Sequence, residues 1–219
     1  MEASILSDQG ILEHLDKGTV VIEPFNMENL STSSYDVTLG ETYYRASKET
    51  RTGWFYNMYD QAHVGAVWGP PQSAQTWSKL REKRYLPCFK NIAEDDKIIL
   101  IGPGESILAH TQEIIGGRKT VTTMMKARSS IGRSFLTVCS CAGWGDIGYV
   151  KHWTMEIRNH HQTHTIPLVV GRRIAQIIFM DTHRTETKTS YEKRGKYCPS
   201  RPWTSSDMLP KLYLDREIQ

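Results

Sequence analysis

Along much of this chain, apolar and polar positions alternate over short spans. Residues 150–157 show this cleanly, with Trp153, Met155 and Ile157 on one side and His152, Thr154 and Glu156 on the other. That is the pattern of a strand with one face on a core. Residues 33–44 alternate with a break at Gly40, and 134–141 are strand-like. Residues 97–101 and 106–110 flank Gly102-Pro103-Gly104-Glu105, the spacing of a hairpin with a loop connection. Residues 167–170 and 173–180 flank Gly171 as a further strand pair, and Gly116-Gly117 marks another turn. Helical spacing appears over 8–17, with Ile11, Leu12 and Leu15 apolar, Ser7 or Asp8 as cap and Gly18 as stop. Short strands broken by Gly and Pro predict a mainly β barrel or sandwich with a short N-terminal helix.

Length and composition narrow the class. The 219 residues fit one domain over 1–200, with an aromatic-rich insertion at about 45–96 and a tail over 201–219. Within the insertion, Trp54, Phe55, Tyr56, Tyr59, Trp68 and Trp77 read as local packing rather than a stacking platform. A net charge of +3 is too small for sequence-independent nucleic-acid binding, but it suits a ligand carrying several phosphates. No apolar run reaches the ~20 residues that span a membrane, and the N-terminus does not read as a signal peptide. Cys88, Cys139, Cys141 and Cys198 are therefore expected as reduced thiols of a cytoplasmic protein, with 139 and 141 as small buried hydrophobes. Zinc is not expected. Pro87-Cys88 lacks the second cysteine of a deaminase zinc motif, and His160, His161 and His164 fall in a polar stretch that reads as a solvated loop.

The chemistry concentrates between 128 and 157. Arg128-Ser129-Ser130 with Arg133 supplies guanidiniums and hydroxyls, A-G-W-G-D-I-G-Y at 142–149 is a Gly-rich turn with one acid, and Glu156 is a carboxylate within an apolar strand. By pattern alone each has a bland account: surface charges, a turn former and a solvent-facing strand glutamate. Together and in this order they resemble the dCTP deaminase family of the dCTP deaminase/dUTPase superfamily. Ile5-Leu6-Ser7-Asp8, Ser34 to Gly40, Gly171 to Ile177, Tyr191 and Lys196-Tyr197 extend the resemblance over 5–44 and about 97–200. Gly145 stands where the family has Ile, Lys151-His152-Trp153 replaces a smaller glycine-containing segment, and C-P-S-R follows Tyr197 where a glutamine is common.

The resemblance implies a jelly-roll-like, dUTPase-like β-barrel that assembles as a homotrimer with active sites between subunits. It implies Glu156 as general base and acid for hydrolytic deamination of dCTP to dUTP and ammonia. Ser129 and the backbone at Ala142 would position the water, and Arg133 would hold Glu156. Arg128, Ser130, Trp144, Asp146, Tyr149, Gln176, Tyr191 and Lys196 would bind the nucleotide. Magnesium would come with the phosphates, and dTTP is a candidate inhibitor. The alternatives are a bifunctional enzyme giving dUMP and pyrophosphate, a deaminase of a related deoxycytidine nucleotide, and a non-catalytic trimeric nucleotide-binding module.

Overall fold

The computed structural model describes residues 4–47, 53–182, 189–197 and 202–214. Helix α1 (Asp8–Asp16) begins where the Ser7 side chain accepts from the Gly10 N–H, and Gly18 at φ +66° lets the chain leave it. Nine main strands follow: β1 (Val20–Glu23), β2 (Ser34–Thr38), β3 (Thr42–Arg45), β4 (Lys97–Ile101), β5 (Ser106–Gly117), β6 (Val121–Ala127), β7 (Val150–Asn159), β8 (Ile166–Val169) and β9 (Arg173–Asp181). Helices α2 (Gln61–Trp68) and α3 (Trp77–Arg84) lie between β3 and β4; the short α4 (Ser129–Arg133) follows β6, and α5 (Tyr191–Arg194) follows β9.

Two sheets enclose the core. One runs Trp144–Gly145, β6, β9, β2, Leu30–Ser31, with Ser4–Ile5 also on β9; the other runs Leu136–Thr137, β7, β5, β3, Gln72–Ser73, with β1 also on β5. A small third sheet joins β8, β4 and Gln75–Thr76. Tyr35, Ile107, Ile115, Met155, Ile157 and Phe179 are fully buried in one cluster. The expected mainly β architecture is present. Each large sheet's path ends on two-residue strands, so the described sheets do not close into a hydrogen-bonded barrel.

Both expected hairpins are instead crossings between sheets. β4 pairs with β8, whereas β5 pairs with β7 and β3. The turn between β4 and β5 is held from outside. Glu105 accepts from the Gly102 N–H at 2.6 Å and pairs with Arg45, while the Asn159 amide donates to the carbonyls of Ile101 and Gly102. Gly171, at φ +81°, likewise hands the chain from β8 to β9 in another sheet. Gly116 and Gly117 are not a turn but the end of β5. A Cβ on Gly116 would stand 2.0 Å from the Tyr149 carbonyl oxygen, so glycine is required by close backbone approach. Of residues 134–141 only Leu136–Thr137 is strand.

Cys139 is buried and Cys141 exposed, because they lie in a turn rather than alternating on a strand; Cys198 is outside the described residues. In the insertion, Trp77 packs with Leu80, Ile98 and Val169, as expected, but Trp54, Phe55 and Tyr59 are 97%, 80% and 61% exposed. Packing accounts for the helical part of the insertion only. Ile107, fully buried opposite Ile157, tests the main interface. Ile107→Ala should cost about 2–5 kcal/mol in urea unfolding, from lost burial plus an unfilled cavity.

Candidate active site

Strand alternation decides where Glu156 points. Trp153, Met155 and Ile157 are buried in the core, which leaves Thr154 and Glu156 on the other face of β7. Glu156 lies opposite Leu108 of β5, which pairs in turn with Tyr44 of β3. Over this face stands a cavity of about 520 Å³. The turn before β7 contributes Ala142, Trp144, Asp146 and Tyr149; Tyr191 and Tyr197 close one side, and Trp68 with Asp207, Met208, Pro210 and Leu212 close another. The Tyr149 ring stands edge-on to Trp153 at 5.2 Å and to Tyr191 at 5.4 Å.

The Glu156 carboxyl is the strongly perturbed group of this cavity. Burial pushes its pKa from 4.5 up to about 7, against a smaller opposing effect of its own backbone hydrogen bond. Its Oε2 is shielded from solvent and has no hydrogen-bond partner among the described residues. A carboxyl in this state exchanges a proton near neutrality.

A second hollow of about 530 Å³ adjoins the first, sharing Asp146, Tyr191 and Tyr197 and adding Lys196. Glycine makes the junction between turn and C-terminal segment. A Cβ on Gly148 would meet the Ser190 Oγ at 2.4 Å, and one on Gly195 would meet the Tyr191 ring at 2.0 Å. The Tyr191 N–H donates to the Ile147 carbonyl at 2.9 Å.

Two departures from the family pattern explain each other. A Cβ on Gly145 would lie 2.4 Å from the Trp153 ring, so the large residue at 153 occupies the space released at 145. The Trp153 Nε1–H donates to the Ile115 carbonyl at 2.9 Å, which satisfies its polar atom inside the core.

The tail was given no role by sequence, yet residues 202–214 form a wall of the site. Trp203 packs on His110 and His152 at ring separations of 4.9 Å, and Met208 is buried with Tyr44 and Leu108. Asp207 accepts from the Thr204 N–H at 3.0 Å and pairs with Lys211 Nζ at 2.8 Å; the Lys211 N–H donates to the Tyr197 hydroxyl at 3.1 Å. The legible signals were the T-S-S-D capping pattern and the apolar Trp203, Met208 and Leu209 in a polar tail.

The remaining candidates form a separate group. Arg128 Nε lies 3.1 Å and Arg173 3.5 Å from the buried Asp36 carboxylate. Gln176 sits across from Asp36 on one side and Lys126 on the other. Burial raises the Asp36 pKa, with Arg128 and then Arg173 acting against it. Ser129, Ser130 and Arg133 are exposed on α4, and none of them lines the Glu156 cavity of the same chain.

The matching family model, dCTP deaminase-like, spans residues 5–182, and the chain belongs to this family. Among similar proteins, the "dCTP deaminase, dUMP-forming" of Nanoarchaeum equitans is 27% identical over 208 residues, covering 93% of this chain and 97% of that protein. The protein of the same name from Methanosphaera stadtmanae is 29% identical over 188 residues, covering 85% and 81%. The crystal structure of 2'-deoxycytidine 5'-triphosphate deaminase from Agrobacterium tumefaciens shares the fold at TM-score 0.52 and 17% identity over 83% of this chain, which spans about half (49%) of that longer protein.

The raised Glu156 pKa has a signed consequence for stability. The native state holds this proton more tightly than an ordinary glutamate, so the stabilisation is full below pH 4.5 and is lost as pH rises through about 7. Glu156→Gln removes that loss. It should leave stability little changed at pH 4.5 and raise it at pH 8, by at most about 3 kcal/mol. Urea unfolding of both proteins across this pH range is the check; a constant difference would contradict the shift.

Proposed function

We propose that the protein is a hydrolytic dCTP deaminase that carries its product on to dUMP, with each active site shared between subunits of a homotrimer. The observation that carries the deaminase reading is the half-buried Glu156 carboxyl, pushed up to about 7, with a shielded Oε2 free of partners among the described residues in a cavity of nucleoside size. As carboxylate it takes a proton from the water that adds to cytosine C4. As acid it returns that proton to N3; it then takes the proton of the new C4 hydroxyl and passes it to the amino group, so that C4=O forms as the C4–N bond breaks and ammonia leaves. The balance is dCTP and water to dUTP and ammonia. The backbone at Ala142 positions the water, while Trp144 and Tyr149 flank the nucleoside.

Two features favour dUMP over dUTP as the final product. The dUMP-forming relatives align over most of this chain. Asp146, exposed on the rim shared by the two hollows, is the acid placed to orient a second water toward the α-phosphorus. That attack breaks the bond to the bridging oxygen and releases pyrophosphate. Lys196 and Tyr191 serve the phosphates in the second hollow. Magnesium is a hard cation that suits phosphate oxygens and water. It would neutralise phosphate charge, with Asp146 accepting from its water shell. dTTP, which carries the same sugar and triphosphate, is a candidate competitor.

The subunit sharing rests on a mismatch within one chain. Ser129 and Arg133 stand outside the Glu156 cavity and are exposed, while no cation among the described residues lines that cavity beside Glu156. Contributed from a neighbour, α4 would bring Ser129 and Arg133 to Glu156, and Arg128, Ser130 and Gln176 toward the phosphates.

Chromatography of a dCTP and magnesium reaction should show dUMP and pyrophosphate with stoichiometric ammonia. dUTP as the end product would restrict the enzyme to deamination, and no ammonia would refute the deaminase reading. Glu156→Gln and Arg133→Ala should each lose about a hundredfold or more in kcat, as expected of proton-transfer and charge-stabilising groups. Unfolded and refolded together, the two variants should regain activity, because mixed trimers contain some sites with both native residues. Absence of that recovery, with trimers formed, would place Arg133 and Glu156 in the same chain's site.

A further inference from the structure

Three buried side-chain atoms lack hydrogen-bond partners among the described residues: Trp68 Nε1, Glu156 Oε2 and Asp181 Oδ1. Trp68 and Glu156 line the same cavity, which makes a shared ligand a better explanation than two separate packing faults. Trp68 is the last residue of α2, and Gly69 at φ +62° turns the chain away from it. Its ring packs on the cluster of Tyr44, Leu108 and Met208, and Leu108 is the cross-strand neighbour of Glu156. The indole therefore belongs to the cavity wall, held by apolar contacts while its one polar atom is left without an acceptor.

An indole N–H can only donate. Asp207, the nearby carboxylate of the tail, is already engaged by the Thr204 N–H and Lys211 Nζ. We infer that Trp68, a residue of the insertion outside the family motifs, donates a hydrogen bond to the O2 carbonyl of the bound pyrimidine and so orients its ring. The inference rests on the deaminase reading. Cytosine presents two ring-edge acceptors, N3 and O2. N3 must take a proton when water adds to C4, and that proton passes through Glu156. O2 keeps its lone pairs throughout and is the acceptor a fixed donor can hold.

The test is nucleotide titration in the Glu156→Gln background, which prevents turnover, with and without Trp68→Phe. The two probes are dCTP and 2-thio-dCTP, whose sulfur is a poor acceptor. Trp68→Phe should weaken dCTP binding about tenfold, the loss of one buried hydrogen bond, and should weaken 2-thio-dCTP far less. Because both nucleotides are compared within one variant, any general loosening of the fold cancels in the ratio. An equal penalty on both, or none on either, overturns the inference. Wild-type ammonia release from dCTP, assayed in parallel, reports on the deaminase reading separately.

Discussion

The pairing of β7 with β5 is the constraint on which the rest depends. It places Glu156 opposite Leu108 and Ile157 opposite Ile107. Because side chains alternate, one register decides both which residues fill the core and which carboxyl faces the cavity. A slip of one residue would turn Glu156 into the core and Met155 out of it. Burial also tunes the carboxyl. Glu156 stands at the base of a cavity walled by aromatic rings and the tail, and this desolvation holds its proton near neutrality.

Around this pair the chain builds its site from distant segments. The turn at 142–149 comes from just before β7, Trp68 from the insertion, and Met208 from the tail. Crossings between sheets, rather than hairpins, make this convergence possible. The β4–β5 turn is tied by Arg45 and Asn159, so β4 joins a different sheet and the insertion can lie beside the cavity. The exchange between Gly145 and Trp153 is a local instance of the same logic: volume added at one position is removed at the position it faces.

The two polar groups divide the expected machinery. Glu156, Ala142, Trp144, Asp146, Tyr149 and Tyr191 meet in one cavity, with Lys196 in the adjoining hollow. Arg128 and Gln176 gather at Asp36, near the exposed α4. Among the described residues, the hydroxyls and the guanidinium of α4 and the Glu156 carboxyl therefore lie at different places on one chain.

Local periodicity and turn chemistry already determined much of this protein. Helix α1 with its Ser7 cap, the alternation of β7 and the outward direction of Glu156 depend on neighbours in sequence, and they are legible there. The grouping of Glu156 with the turn at 142–149 was legible from motif order. Which strands pair was not, because the loops at Gly102 and Gly171 suit a hairpin and a crossing equally well, and long-range contacts choose between them. Nor were the separation of α4 from Glu156, the place of Trp68 on the cavity wall or the docking of Met208. Each depends on which surfaces meet after folding, and a free energy of contact between segments a hundred residues apart leaves no period in either one.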